Sequence, residues 1–233
     1  MLCRRRRSGY KRLLRDPFCV KSTVVLPPEV VAIVDLEYAH DFEHWIQTIR
    51  RLSDLPCDPT LCVQIRAKSV PPNEVEAIAR LARESFKNSS IKLSWNGDPA
   101  IASTCGFDAC HQPQANICEL PKESAHLIHS ASVHDDVSLG RAESCGADFV
   151  VFGSVFDPHW KNVQVQGLDE LTRLASSTKL PVLAIGGVNL DTVSRVSRTD
   201  ARGIACLSGV MDAPNPVEAV VSLQKRWRHF RGT

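Results

Sequence analysis

Charged and amide side chains follow one of the apolar runs of this chain, at the point where a strand would end. The chain reads Gln64-Ile65-Arg66-Ala67-Lys68, and the alternation of an extended backbone places Gln64, Arg66 and Lys68 on one side. Two cations at the end of a strand can hold an anionic group, and arginine offers paired donors to it. We therefore predict that these three side chains bind an acidic substrate, and are more than a solvated strand end.

His134 is the candidate for proton transfer. It stands in Ser132-Val133-His134, after a further apolar run, and an imidazole can exchange a proton near neutral pH. The same residues also suit an ordinary helix start, with Ser132 as the capping residue and the histidine in the first turn. The residue types alone leave both interpretations open.

Two further residues are candidates for substrate contacts. Asn96 is followed by Gly97 after an apolar run, and this pair forms turns as readily as it binds a ligand. Lys161 lies near the tip of a long loop after another apolar run. We predict that this loop is a lid that carries a positive charge, the alternative being an ordinary exposed lysine.

Glycines follow two neighbouring apolar runs, as Gly186-Gly187 and as Ser208-Gly209. Glycine permits close approach of the backbone, and free N–H groups at a following helical turn favour a phosphate. We predict that these two glycine-bearing corners form a phosphate site.

Eight short apolar runs alternate with longer amphipathic segments from residue 30 onward. Several runs are rich in Val and Ile, which is typical of parallel strands covered on both faces. The predicted strands are residues 30–34, 61–65, 91–94, 107–111, 127–129, 149–153, 182–185 and 203–207, and the predicted helices are 42–52, 73–86, 135–145, 168–176, 191–196 and 217–227, with a weaker one at 100–105. This alternation predicts a single (β/α)8 TIM barrel rather than an open doubly wound sheet. Active sites of such barrels lie at the carboxyl ends of the strands, where the candidate residues fall.

The composition and the charge distribution limit the class of protein. The 233 residues are 43% hydrophobic and 23% charged, which excludes a disordered or collagen-like chain, and no apolar run approaches the roughly 18–20 residues of a membrane span. Seven of the 28 basic and one of the 26 acidic residues fall in residues 1–16, so the remainder carries 21 basic and 25 acidic side chains. We predict a flexible basic extension over residues 1–22 and a barrel over 23–233 that lacks a nucleic-acid-binding face.

The nine cysteines, in a chain without a secretory signal, indicate reduced thiols in a cytoplasmic protein. Spacings such as Cys57-x4-Cys62 and Cys105-x4-Cys110-x7-Cys118 match no common zinc module. We therefore predict no metal site.

Together these segments resemble the thiamine phosphate synthase/TenI family, from about residue 30 to residue 219. The resemblance is carried by residues 63–68, 106–108, 132–134, 146–148 with 152–161, 181–188 and 203–210. It implies a (β/α)8 barrel that handles thiazole phosphates. In the synthase branch, a pyrimidine diphosphate is joined to a thiazole phosphate with magnesium, which an Asn-Asp pair after the third strand helps to hold.

This sequence departs from the synthase pattern at both of its acidic positions. It reads Asn-Gly at 96–97 and Gln-Ala-Asn at 114–116, and Mg²⁺ binds mainly through carboxylates and substrate phosphates. These departures, with Ser-Val-His at 132–134 and Phe-Gly-x-Val-Phe at 152–156, are similar to the TenI branch of thiazole tautomerases. That branch aromatises a thiazole carboxylate phosphate by moving a proton, without a metal or another cofactor.

The TenI resemblance implies His134 as the acid/base residue, Arg66 or Lys68 near the substrate carboxylate, and the two glycine-bearing corners around the phosphate. Two alternatives stay open. One is a divergent synthase, which would need magnesium, and the other is a non-catalytic barrel that binds a phosphate ligand. We expect a small-molecule phosphate as the partner and no membrane partner, and a homo-oligomer stays open.

Overall fold

The computed structural model describes residues 27–232 of the chain. Its strands are β1 (Val30–Asp35), β2 (Leu61–Arg66), β3 (Lys92–Asn96), β4 (Ala109–Gln112), β5 (Ile128–Val133), β6 (Phe149–Phe152), β7 (Val182–Ala184) and β8 (Gly203–Cys206). Each strand pairs in parallel with its neighbours along the chain, and β8 pairs with β1 to close the barrel. The prediction of a single (β/α)8 barrel is confirmed, and the alternative of an open sheet is wrong.

Helices occupy most of the connections between the strands. They are α1 (Phe42–Leu52), α2 (Val75–Ser85), α3 (Pro99–Thr104), α4 (Asp136–Ser144), α5 (Gly167–Ser177), α6 (Val193–Val196), α7 (Ser208–Met211) and α8 (Pro216–Arg231). The connection from β4 to β5 has two 3₁₀ turns instead, Gln114–Asn116 and Lys122–Ser124. Each of these turns follows a proline, and proline in a helix interior removes a hydrogen bond and clashes with the preceding turn.

Helix α1 illustrates how the sequence builds the outer layer of the barrel. The Asp41 side chain accepts a hydrogen bond from the backbone N–H of His44 at 2.7 Å, which satisfies a donor that the first turn leaves free. Trp45 and Ile49, one turn apart, are completely buried. Burial of each such side chain contributes about 1.5–3 kcal/mol, so this apolar face holds the helix against the strands.

One half of the barrel interior is apolar. Its members belong mainly to β1, β6, β7 and β8, and they are Val31, Ile33, Cys62, Phe149, Val151, Leu183 and Ala205. These side chains fill the bottom of the barrel and form the floor of the space above them.

The inward positions near the carboxyl ends of β2 to β5 are polar instead. Strand pairing aligns Arg66 of β2 with Asp35 on one side and with Asn96 on the other, and Asn96 with His111 of β4. A parallel register of this kind brings polar groups from four strands to one level near the carboxyl ends. The fold therefore supplies a mouth with polar groups on one side.

The predicted boundary between residues 22 and 23 falls before the first described residue. The basic extension predicted at 1–22 lies outside the described residues, as do residues 23–26 and 233 of the predicted barrel. Within residues 27–232, none of the helices combines the length and apolar character that crossing a membrane requires. In the same part of the chain the seven cysteines are free thiols, and no three His, Cys, Asp or Glu side chains converge as a metal site would need.

Candidate active site at the barrel mouth

A cavity of about 450 Å³ opens at the carboxyl ends of the strands. It contains the predicted site residues apart from Gly209: Gln64, Arg66, Lys68, Asn96, His134, Lys161, Gly186, Gly187 and Ser208. They come from six different stretches of the chain, so closure of the barrel is what brings them together. A cavity of this size suits a small molecule.

Three cations meet on one side of this cavity. Burial lowers the pKa of Lys68, and the neighbouring charge of Arg66 lowers it further. The pKa of Lys161, which reaches the cavity from the β6–α5 loop, is lowered for the same two reasons. Among the hydrogen bonds and ion pairs described for residues 27–232, neither ammonium has a carboxylate partner. An anionic ligand would relieve this repulsion, and binding of such a ligand by Arg66 and Lys68 stays a prediction.

Asp35, which the sequence analysis missed, holds the arginine of this cluster. Its carboxylate is buried and forms an ion pair with Arg66, which also contacts Glu37 at 2.9 Å. Burial raises the pKa of Asp35, although the Arg66 guanidinium opposes that shift. The signal available in the sequence is an aspartate at the end of an otherwise apolar strand, in the same position as Arg66 in the next strand.

Gln64 and Asn96 form a second pair on the same wall. The Asn96 Nδ2 donates a hydrogen bond to Gln64 Oε1 at 3.1 Å. The Asn96 Oδ1 is buried and, within the described chain, has no hydrogen-bond partner. A buried acceptor of this kind is costly unless it is paired, so a ligand donor in the cavity would satisfy it. The turn itself is made by Gly97, whose φ is +150°.

His111, also missed by the sequence analysis, orients a serine of the cavity. Its Nδ1 lies 3.0 Å from Ser130 Oγ, and its Nε2 lies 2.8 Å from Ser132 Oγ. The Ser130 hydroxyl donates to the Cys110 carbonyl, so His111 Nδ1 must carry the hydrogen, and Ser132 donates to Nε2. Burial lowers the pKa of His111 to about 3, with His129 adding to the effect. His111 is therefore neutral and keeps the Ser132 lone pairs available to a ligand.

His134 lies beyond the end of β5 and lines the cavity. Its Nδ1 is hydrogen-bonded to the Gly153 carbonyl. A carbonyl can only accept, so Nδ1 carries the hydrogen, and the Nε2 lone pair is left to exchange a proton. Of the two interpretations of this segment, the helix start capped by Ser132 is wrong. Asp135 caps α4, accepting from the Ser138 N–H at 2.7 Å.

The glycine pair after β7 is required by the local packing. Gly186 and Gly187 have φ values of +96° and +62°, and a Cβ on Gly186 would lie 1.9 Å from Ser154 Oγ. Both residues line the cavity together with Ser208 of α7. Gly209 instead directs its N–H to the Cys206 thiol. Phosphate binding at these corners stays a prediction.

The donor set at the mouth does not fit a magnesium ion held by the protein. Gly97 and the segment Gln114–Asn116 supply no carboxylate where the synthase pattern has one. Asp98 caps α3 and accepts from the Ala100 N–H at 2.8 Å. Among the described residues that line the cavity, Asp35 is the single carboxylate, and Arg66 neutralises it. Mg²⁺ needs oxygen ligands and usually carboxylates, and the neighbouring cations would repel it.

Comparisons with known proteins place this chain in a family. A family model described as thiamine monophosphate synthase matches residues 33–210. The thiamine-phosphate synthase of Pyrococcus furiosus is 33% identical over 166 residues, which cover 70% of this chain and 80% of that protein. That of Roseiflexus is 30% identical over 166 residues, covering 69% and 70%.

Solved structures agree with these relatives. A thiamine phosphate pyrophosphorylase from Pyrococcus furiosus superposes with a TM-score of 0.70 at 27% identity, covering 87% of this chain and 96% of that one. A 3-hexulose-6-phosphate synthase, at 12% identity and a TM-score of 0.58 over 85% of this chain and 99% of that one, is similar in fold alone. The match of the family model over most of the barrel shows that this chain belongs to the thiamine monophosphate synthase family.

Proposed function

We propose that the chain is a metal-independent isomerase of a thiazole carboxylate phosphate, a tautomerase of the TenI type. The observation that carries the proposal is the state of His134. Its Nδ1–H donates a hydrogen bond to the Gly153 carbonyl, so the Nε2 lone pair is left free, and the same cavity is lined by Arg66, Lys68 and Lys161. Proton transfer needs a positioned base and charge stabilisation, and these residues provide both.

The reaction is a balanced movement of one proton. His134 Nε2 takes a proton from a ring carbon of the substrate, and the resulting imidazolium returns it at another position, so that the thiazole becomes aromatic. No bond to the phosphate or the carboxylate changes. The cations near the mouth stabilise the negative charge that develops on the conjugated carboxylate between the two transfers.

Two separate groups of residues suit the two anionic ends of such a substrate. The glycine-bearing corners, with Gly186, Gly187 and Ser208, are assigned to the phosphate. Arg66 and Lys68, with Lys161 from the loop, are assigned to the carboxylate. Both groups line the same cavity, so a ligand with an anion at each end can span it.

The second candidate is the synthase reaction, which joins a pyrimidine diphosphate to a thiazole phosphate. It is favoured by the names of the relatives and by the three cations, which suit a diphosphate better than a carboxylate. The missing carboxylates at 97 and 114–116 oppose it. Magnesium would then have to come with the substrate phosphates.

The test is a side-by-side assay of both reactions, with Mg²⁺ and with a chelator, on the parent chain and on His134→Ala. If the chain is a tautomerase, the parent should aromatise the thiazole at the same rate with the chelator as with Mg²⁺. The variant His134→Ala should then show no aromatisation. Magnesium-dependent release of pyrophosphate would overturn it in favour of the synthase. Binding of phosphate ligands without turnover in either assay would leave a non-catalytic barrel.

A further inference from the structure

The loop between β6 and α5, residues 153–166, is the mouth loop, and both of its ends are fixed to the barrel. The Val155 N–H donates to the Ile185 carbonyl at 2.8 Å, and the Gln166 N–H donates to the Ser154 carbonyl at 2.8 Å. These backbone bonds hold the base of the loop beside β7. They do not reach its central residues, which carry Lys161.

The centre of the mouth loop meets the barrel on the opposite side, at the turn after β1. The Trp160 ring packs edge-on against the Tyr38 ring, with 5.2 Å between their centroids. Of the hydrogen bonds, ion pairs and ring contacts described for residues 158–165, this is the one that joins them to a distant element. The loop therefore crosses the mouth and is held at its far side by two aromatic rings.

Tyr38 is itself held in place from a third element. Its hydroxyl donates a hydrogen bond to Asp212 Oδ2 at 2.6 Å, at the end of α7. Burial and this carboxylate raise the pKa of Tyr38 to about 12, so the hydroxyl keeps its hydrogen at neutral pH. The ring that receives Trp160 is therefore anchored to the short helix whose first residue, Ser208, lines the cavity.

Trp160 also touches the cation that it would position. The Lys161 Nζ lies over the Trp160 ring, 4.9 Å from its centroid. The repulsion between Lys161 and Arg66 would drive a free loop away from the mouth, since like charges separate when nothing holds them. The aromatic contact opposes that movement.

We propose that Trp160, Tyr38 and Asp212 form a latch that holds the mouth loop closed and thereby positions the Lys161 ammonium in the anion site. The latch residues are positioning residues: they act through Lys161 on whatever anion the site binds. The inference uses the anion site of the proposed function but does not depend on which of the two reactions the chain performs.

The experiment measures the affinity of inorganic pyrophosphate by calorimetry on the full chain. Trp160→Ala should weaken binding by about three- to tenfold, the range expected for loss of an aromatic pair and a cation–π contact. Trp160→Phe, which keeps a ring, should restore most of the affinity. Val165→Ala is the matched control, because Val165 is an exposed apolar side chain of the same loop and does not line the cavity; it should bind as the parent does.

A double-mutant cycle separates positioning from a general effect on the loop. If Trp160 acts through Lys161, Trp160→Ala should have no further effect in a Lys161→Ala background. An equal loss in both backgrounds would overturn the proposal, and so would parent-like binding by Trp160→Ala or a parent chain that does not bind pyrophosphate.

Tyr38 supplies a second and independent set of variants. Tyr38→Ala should reproduce the loss seen with Trp160→Ala, whereas Tyr38→Phe keeps the ring and should lose less than threefold. Equal losses for the two Tyr38 variants would contradict a ring-to-ring latch. Turnover assays on the same proteins keep the two proposals apart. If the variants change pyrophosphate affinity as expected but the parent chain catalyses neither reaction, only the proposed function is wrong. If the parent chain catalyses the isomerisation but the variants bind pyrophosphate as it does, only the latch is wrong.

Discussion

The two sides of the barrel mouth differ in what holds their residues in place. The polar wall is formed by inward side chains of β2 to β5, among them Arg66, Asn96 and Ser132. The glycine wall is formed by the ends of β6 to β8, with Gly186 and Gly187 above an apolar floor. On the polar wall Arg66, Asn96 and Ser132 are each held by a partner side chain. On the glycine wall the residues are held by backbone packing and leave no room for a Cβ.

Substitutions on the two walls should therefore have different effects. A substitution on the polar wall removes a charge, a donor or an acceptor but leaves the backbone in place, so binding or chemistry suffers first. A substitution on the glycine wall forces the backbone to move, so stability suffers first.

His134→Ala is expected to give the largest effect, on activity. Removal of the acid/base group should lower kcat of the proposed isomerisation by about 10²- to 10⁴-fold, the usual contribution of a positioned proton-transfer group. Steady-state kinetics measure the loss, and the midpoint of thermal unfolding should change little because the side chain is exposed. A loss of stability in place of a loss of kcat would erase the distinction between the walls.

The buried imidazole of His111 should make the free energy of unfolding depend on pH. Its pKa is about 3 in the folded chain and about 6.5 when unfolded, so between these values the unfolded state binds a proton that the folded state does not. The free energy of unfolding should therefore fall as the pH drops through this window, by up to about 1.4 kcal/mol per pH unit.

Urea unfolding at several pH values measures this slope. His111→Gln, which removes the titrating ring, should flatten it, whereas His126→Gln, at an exposed histidine, should leave it as in the parent. An unchanged slope in His111→Gln would show that the buried histidine does not carry the effect.

Gly186→Ala tests the glycine wall. A Cβ would lie 1.9 Å from Ser154 Oγ, on a backbone with φ of +96°, so we expect a loss of about 1–3 kcal/mol in the free energy of unfolding. Gly140→Ala is the matched control, since a Cβ there meets nothing within 4 Å and lies inside α4. It should stabilise the chain by about 0.5–1 kcal/mol. If both variants unfold alike in urea, the packing argument is wrong.

Lys68→Gln is expected to give the smallest effect. Loss of one cation should weaken pyrophosphate binding by about tenfold, and added salt should reduce the difference. Lys87→Gln removes a lysine that pairs with Glu84 on the surface and should bind as the parent does. Equal losses in the two variants would mean that net charge, and not the position of Lys68 in the cavity, attracts the anion.

Much of the fold followed from local pattern. Apolar runs, amphipathic segments and their spacing predict eight units and a closed barrel, and the structure has them. No helix is predicted between residues 111 and 127, and the β4–β5 connection has only short 3₁₀ turns, each of which follows a proline, Pro113 or Pro121. The candidate residues at strand ends, apart from Gly209, also fall in one cavity, because all carboxyl ends of a parallel barrel face the same side.

The residues that the sequence analysis missed share one property. Asp35 and His111 act on Arg66 and Ser132, which belong to other strands, and Tyr38 meets Trp160 from 122 positions away. None of these residues stands in a motif of its own. Their importance depends on the register between strands and on the path of the mouth loop, which local residue types do not specify.

The order of elements and the side of each strand that is polar are properties of the sequence itself, because backbone alternation and apolar spacing act over a few residues. Only the tertiary structure decided which nitrogen of His111 and of His134 carries the hydrogen, and which cations lie together. It also decided why Gly186 tolerates no side chain. Those outcomes depend on partners from distant parts of the chain, which only closure of the barrel brings together. Contacts between such partners form only when the chain folds, and their energy must then exceed the conformational entropy that folding costs.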